Sequence, residues 1–136
     1  MEFDPNRDYP LGARRPELVT TPAGTPLSEV TLDAAREGRL VGTEIRATPE
    51  TLRRQADVAR AAGRSQLAEN LERAGELASV PDDELLEIYT ALRPRRSTAA
   101  ELESWAERLE GWGASRTADF VREAAAVYTE RRLLAV

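Results

Sequence analysis

The chain has 136 residues, a formal net charge of -5, and no His, Cys or Lys, so all 19 of its basic residues are Arg. It therefore has no side chain with an unperturbed pKa near neutrality, none of the usual zinc ligands and no amine for a Schiff base. Only Asp, Glu and Tyr remain for acid–base work, which leaves a carboxylate pair of the glycosidase kind as the one simple enzyme design still open and weighs against an enzyme in its own right.

Residues 1–27 carry Pro at positions 5, 10, 16, 22 and 26. Each proline fixes its own φ and pushes the preceding residue toward extended geometry, so no regular helix runs through this spacing. Phe3, Tyr9, Leu11, Leu18, Val19 and Leu27 show no period. The segment reads either as a disordered tail or as an extended arm laid on a partner.

Helical signals follow. Thr31 caps a short helix to about Glu37, and Gly38 offers the left-handed stop. Leu40, Val41 and Ile45 make at most a short extended piece. Thr48 caps the next helix, with Pro49 at its favoured first position and Glu50 complementing the helix dipole. Leu52, Ala56 and Ala59 line one face, and Gly63 ends it. Ser65 opens a third helix whose stripe is Leu67, Leu71, Ala74 and Ala78.

Asp82, Asp83 and Glu84 form an acidic first turn after Pro81, and Leu85, Ile88, Tyr89 and Leu92 give that fourth helix its stripe before Pro94 stops it. Ser97 or Thr98 caps a fifth helix, with Leu102, Trp105, Ala106, Leu109 and Trp112 on one side and a break at Gly111-Trp112-Gly113. A sixth runs from about Arg116 to Arg132 with two apolar stripes: Ala118, Val121, Ala125, Tyr128, and Phe120, Ala124, Val127. Two stripes imply burial on two sides. No alternating strand and no internal repeat is visible. The fold class expected is all-α: a compact domain of five to six helices over 28–136, preceded by an extended Pro-rich arm over 1–27.

The length fits one domain, and with aromatics at 5% the core must rest on Leu, Ala and Val. No apolar run approaches the ~20 residues that span a bilayer. Met1-Glu2-Phe3-Asp4-Pro5 has no basic segment leading into an apolar one, so no secretory signal is expected and the default location is cytoplasmic. Acids interleave with Arg along the helices, unlike the basic face of a nucleic-acid binder.

Four features admit two readings. Arg93-Pro94-Arg95-Arg96 is a solvated loop at a helix end or a docking patch, since Arg pairs carboxylates in bidentate fashion. The acids at 82–84 are explained by the helix dipole without a metal, and Arg131-Arg132 by the same dipole with the sign reversed. Trp105 and Trp112, at helical spacing beside Leu109, read as core rather than as a cleft. Gln66 and Asn70, one turn apart, are an exposed hydrogen-bonding pair or a contact for another chain.

Several segments in order carry a family resemblance: Asp8-Tyr9-Pro10-Leu11 with Arg14-Arg15-Pro16-Glu17-Leu18; Thr48-Pro49-Glu50-Thr51-Leu52-Arg53; Ala61-Ala62-Gly63-Arg64-Ser65-Gln66-Leu67-Ala68-Glu69-Asn70-Leu71; Leu85-Leu86-Glu87-Ile88-Tyr89-Thr90-Ala91-Leu92-Arg93-Pro94; and Phe120-Val121-Arg122-Glu123-Ala124-Ala125-Ala126-Val127-Tyr128. From about Asp8 to Leu133 the chain resembles the small subunit of the adenosylcobalamin-dependent diol and glycerol dehydratases. Departures are Leu71 where the family often has Phe, Gly75 where Ala is usual, and Arg95 where an aromatic is usual.

The resemblance implies a helical, non-catalytic subunit of a carbon–oxygen hydro-lyase that turns a 1,2-diol, propane-1,2-diol or glycerol, into an aldehyde and water. It implies a dimer of heterotrimers, in which a (β/α)8 large subunit holds the diol and a metal ion and a medium subunit helps hold adenosylcobalamin. No catalytic, cofactor-binding or metal-binding residue is then expected here. The interface candidates are Tyr9, Pro10, Leu11, Gln66, Asn70, Arg93, Arg95 and Arg96, and the resemblance favours the arm over the tail. Some family members have a longer N-terminal extension linked to packaging in a protein shell; the seven residues before Asp8 give no expectation of packaging. The alternative from another class is a free-standing helical adaptor or oligomerisation module.

Overall fold

The computed structural model describes residues 1–136 and contains helices and turns, with one isolated antiparallel bridge between Thr20 and Pro26. The helices are α1 (Leu11–Arg14), α2 (Leu32–Arg36), α3 (Pro49–Ala61), α4 (Ser65–Leu77), α5 (Asp82–Ala91), α6 (Ala99–Gly111) and α7 (Ser115–Glu130), with single 3₁₀ turns at Pro16–Leu18 and Leu27–Glu29. Contacts group the chain into two units, Met1–Ala78 and Ser79–Val136. The Pro-rich segment thus shares a unit with the first long helices.

In the first unit that segment follows an irregular path, mostly extended but broken by single turns. Pro10 and Pro16 bracket α1, so one turn of helix fits between them and no more. The path is tied down where it passes α3: the Arg54 guanidinium donates to the Leu18 carbonyl at 2.9 Å. A tight loop follows, with the Thr21 N–H donating to the Thr25 carbonyl at 2.9 Å and the Leu27 N–H to the Val19 carbonyl at 3.2 Å. Residues 40–45 form turns and no strand.

The main body of this unit is the α3–α4 hairpin. Thr48 caps α3 by accepting from the Thr51 N–H at 3.2 Å. At the far end Gly63 takes φ 74°, and the Arg64 N–H returns to the Ala59 carbonyl at 2.8 Å, which closes the last turn. The packed centre is Ala56, Ala59 and Ala68, with Leu71 against them. Methyl groups at the crossing let two helices come close. On α4 the buried positions are Ala68 and Gly75, whereas Leu67 and Ala78 are exposed. Of the expected stripe Leu71 packs against this centre while Leu67 and Ala78 face outward, because the smallest side chains, Ala68 and Gly75, sit where the backbones approach.

The second unit repeats this design in α6–α7. Thr98 forms a full capping box with Glu101. Gly113 takes φ 76°, and the Ala114 N–H returns to the Leu109 carbonyl at 2.9 Å. Leu102, Ala106, Leu109, Ala114, Ala118 and Val121 are buried. Arg122 spans the hairpin to Glu103 at 2.8 Å and Glu110 at 2.6 Å, holding the Glu110 carboxyl below its ordinary pKa. From α5, Ile88 and Ala91 are buried, but Tyr89 is 61% exposed, so it does not belong to the stripe as expected.

Two further expectations are corrected in this unit. Trp105 and Trp112 are half-buried rather than core; their rings flank the Arg108 guanidinium at 4.4 and 5.6 Å. The Arg108 side chain is 46% exposed, and closing either ring fully over it would take its charge out of water. On α7 only the stripe through Ala118 and Val121 is deeply buried, while Phe120 on the other side is 45% exposed.

Candidate functional site

The Pro-rich segment enters the first unit through Asp8. Its carboxylate is buried, accepts from the Asp4 N–H at 3.0 Å, and pairs with Arg7 at 2.8 Å and Arg15 at 2.7 Å. The hydrogen bond from Arg7, then that from the Asp4 amide and the neighbouring guanidinium charges, hold it well below the usual carboxylate range despite the burial that opposes this. Asp4 in turn accepts from the Asn6 and Arg7 N–H groups at 2.9 and 3.2 Å. Two carboxylates, two guanidinium groups and three backbone N–H bonds thus pin a stretch that has no helix of its own.

That anchoring decides where Tyr9, Pro10 and Leu11 lie. Leu11 is buried, Pro10 is exposed and Tyr9 is 58% exposed, joined to Pro10 by a cis peptide. All three edge a groove of about 650 Å³ whose opposite wall is the α3–α4 hairpin, through Val58, Leu67 and Leu71 among others. The Arg64 side chain stands at its rim. The groove is apolar with few polar groups, which suits an apolar side chain of another chain better than a small polar substrate.

Gln66 and Asn70 are exposed on α4, outside the groove; the Asn70 side-chain oxygen accepts from Arg73. Arg93, Arg95 and Arg96 are exposed in the second unit, in the loop after α5. This loop is held by two side-chain hydrogen bonds. The Ser97 hydroxyl donates to the Ala91 carbonyl at 2.9 Å, and Tyr128 Oη donates to the Leu92 carbonyl at 2.6 Å. The candidates therefore separate into a groove set (Tyr9, Pro10, Leu11), a helix-surface set (Gln66, Asn70) and a loop set (Arg93, Arg95, Arg96). Sequence reasoning missed Val58 and Leu67 as groove walls; the one available signal was that α3 and α4 each had more apolar residues than a single contact face uses.

Residues 5–135 match the family described as dehydratase small subunit. This chain belongs to that family. Two small-subunit relatives agree. The propanediol dehydratase small subunit of Citrobacter freundii is 51% identical over 128 residues, covering 93% of this chain and 74% of the relative. That of Salmonella typhimurium (strain LT2) is 50% identical over the same extent. The span includes the Pro-rich segment and both hairpins, so the groove and the loop both fall within the small-subunit match. No helix is long and apolar enough to cross a membrane.

Proposed function

We propose that this chain is the small, non-catalytic subunit of a diol dehydratase, the enzyme that converts a 1,2-diol into an aldehyde and water. The observation that carries this is identity of about half over nearly the whole chain to two propanediol dehydratase small subunits. In this reading the chain stabilises the complex by packing on the large subunit. The assembly is a dimer of heterotrimers with a large and a medium subunit, located in the cytoplasm.

Adenosylcobalamin in the holoenzyme supplies a radical from its Co–C bond when bound. The residues of this chain do not fit that cofactor or a catalytic metal. They include no His or Cys, no group of three or more carboxylates converges, and no carboxylate lines the first unit's groove. The cofactor, the diol and the proton transfers are accordingly assigned to the partner subunits. Tyr9, Pro10 and Leu11 at the groove, Gln66 and Asn70 on α4, and the arginine loop are the contact candidates, with residues 1–27 acting as an arm that strengthens assembly.

The test is co-expression with the large and medium subunits, followed by size-exclusion chromatography and a diol-to-aldehyde assay. Co-elution of all three chains with cobalamin-dependent activity is expected, and no turnover by this chain alone. Failure to co-elute would move the chain to a free-standing adaptor. Aldehyde production by the isolated chain would overturn the non-catalytic assignment.

A further inference from the structure

The α3–α4 and α6–α7 hairpins follow one design at a constant offset of 50 residues. Thr48 and Thr98 cap the first helix of each, and Gly63 and Gly113 close the turns at φ 74° and 76°. Ala56 and Ala68 are buried in one hairpin, and Ala106 and Ala118 in the other. The remaining apolar positions are close in kind: Ala59 and Leu71 correspond to Leu109 and Val121. Hydrophobic attraction is non-directional. Before side chains interlock, the apolar face of α3 therefore suits α7 nearly as well as α4, and that of α6 suits α4 nearly as well as α7.

The charges beside those faces are not alike. Arg60 on α3 pairs across the hairpin with Glu72 on α4. At the equivalent positions of the second hairpin, Glu110 on α6 pairs with Arg122 on α7 at 2.6 Å. The bridge keeps its place and reverses its sign. Arg122 also pairs with Glu103 at 2.8 Å, and the position equivalent to Glu103 is Arg53, reversed again. Thus α3 carries two cations where α6 carries two anions, and α4 carries an anion where α7 carries a cation.

Exchange of helices between the hairpins then meets repulsion. Laying α3 on α7 in the same geometry brings Arg53 and Arg60 to Arg122. Laying α6 on α4 brings Glu103 and Glu110 to Glu72. Each wrong pairing loses an attraction and gains like charges in contact. None of the four bridging groups, Arg60, Glu72, Glu110 and Arg122, is buried, and ion pairs of this kind add little to stability. Choice between partners is a difference, however. It counts the attraction lost and the repulsion gained at both crossings, so these groups discriminate more than they stabilise.

We propose that the sign-reversed bridges are a pairing device: they make each hairpin close on itself and reject the helices of the other, within one chain and between two copies of it. Chains built from repeated units are prone to such exchange, since each unit offers its neighbour a face that fits. Packing corrects a wrong pair only late, when the Ala59 and Leu109 sites come into close contact and differ in size. Charge acts over a longer range and sorts the helices before that point. The device lies wholly within this chain and stands whether or not the small-subunit reading does.

The test refolds the full-length chain from urea and measures, by size-exclusion chromatography with light scattering, the fraction recovered in the native oligomeric state. Arg53→Glu/Arg60→Glu/Glu72→Arg gives the first hairpin the charges of the second, so that both carry one sign. Glu103→Arg/Glu110→Arg/Arg122→Glu does the converse. All six substitutions together exchange the signs and leave them opposite. Arg60→Gln/Glu72→Gln removes the first bridge without making the hairpins alike. Each same-sign variant is expected to send roughly tenfold more chain into misassembled species than wild type. The six-substitution variant is expected to recover like wild type, and the Gln variant to fall between. A bridge that served stability alone would give the opposite order, with the Gln variant recovering worse than the same-sign variant of the first hairpin, and that order would overturn the proposal. So would same-sign variants that recover as well as wild type, or poor recovery that the six substitutions together do not restore.

Discussion

Replacing Gly75 by Ala is expected to stabilise the protein. Gly75 is buried in the last turn of α4, where part of the glycine penalty of a helix interior, about 0.8–1.0 kcal/mol relative to alanine, applies because of the backbone freedom lost on folding. Whether that gain is realised depends on room for a methyl group. A Cβ at this position would lie 3.5 Å from the Pro49 carbonyl oxygen, 3.6 Å from Leu52 Cβ and 4.0 Å from Pro49 Cα. These are ordinary van der Waals distances, so the methyl adds contact between α4 and the start of α3 without pushing them apart. Burying one methyl contributes up to about 0.8 kcal/mol more. The expected net is about 1–1.5 kcal/mol, or a rise in melting temperature of about 4 °C.

Thermal and urea unfolding followed by circular dichroism at 222 nm would measure it. A melting temperature that falls, or does not move, would refute the argument by showing that α3 and α4 approach too closely at Pro49 for any side chain. Two controls bracket the result. Gly75→Leu overfills the same gap and should cost about 1–3 kcal/mol. Gly63→Ala should cost about 1–2 kcal/mol even though nothing lies within 4 Å of its Cβ, because φ is 74° there and the penalty is conformational.

Four other outcomes are expected. Leu109→Ala, which empties a fully buried site, should cost about 2–5 kcal/mol in urea unfolding. Trp105→Ala should cost less, about 1–2 kcal/mol, since a half-exposed ring loses partial burial and an Arg108 contact worth about 0.5–1 kcal/mol; equal costs for the two would place Trp105 in the core after all. Asp8 has a depressed folded-state pKa, so the stability it contributes is complete above its unfolded value of about 3.9 and is lost as pH falls toward the lower folded value. Protease cleavage within residues 1–20 should therefore rise as pH drops below about 4, and Asp8→Asn should show that susceptibility already at neutral pH, judged by mass spectrometry of the fragments. Thr98→Ala removes a capping box that satisfies two N–H groups and should cost about 1 kcal/mol in the same unfolding assay; no loss would mean that α6 is held by packing alone.

The sequence by itself determined where helices start and stop. Thr31, Thr48 and Thr98 cap through their own hydroxyls, and Gly38, Gly63 and Gly113 take the positive φ that ends a helix. These signals act within four residues, so they need no knowledge of the rest of the chain. The missing His, Cys and Lys were equally legible, as was the family, whose segments recur in order along the chain.

What the tertiary structure decided is which faces are used. The heptad-like pattern on α4 allows a stripe through Leu67 or one through Ala68, and only the approach of α3 selects Ala68 and Gly75. The two tryptophans fit a core stripe by spacing, but both rings stack on the Arg108 guanidinium and stay half-exposed. The two hairpins correspond at a constant offset of 50 residues, Thr48 with Thr98, Leu52 with Leu102, Ala56 with Ala106, Gly63 with Gly113, Ser65 with Ser115 and Ala68 with Ala118, a repeat that sequence reasoning missed and that the matching returns to Ala59 and Leu109 bring out. The groove and the placing of the loop after α5 arise the same way. Tyr9 and Val58 line one groove from opposite sides, and the Arg95 N–H reaches the Leu133 carbonyl, across separations of tens of residues. Local chemistry sets each element, whereas pairing at such distances depends on how whole elements pack, and that is written in no short stretch of sequence.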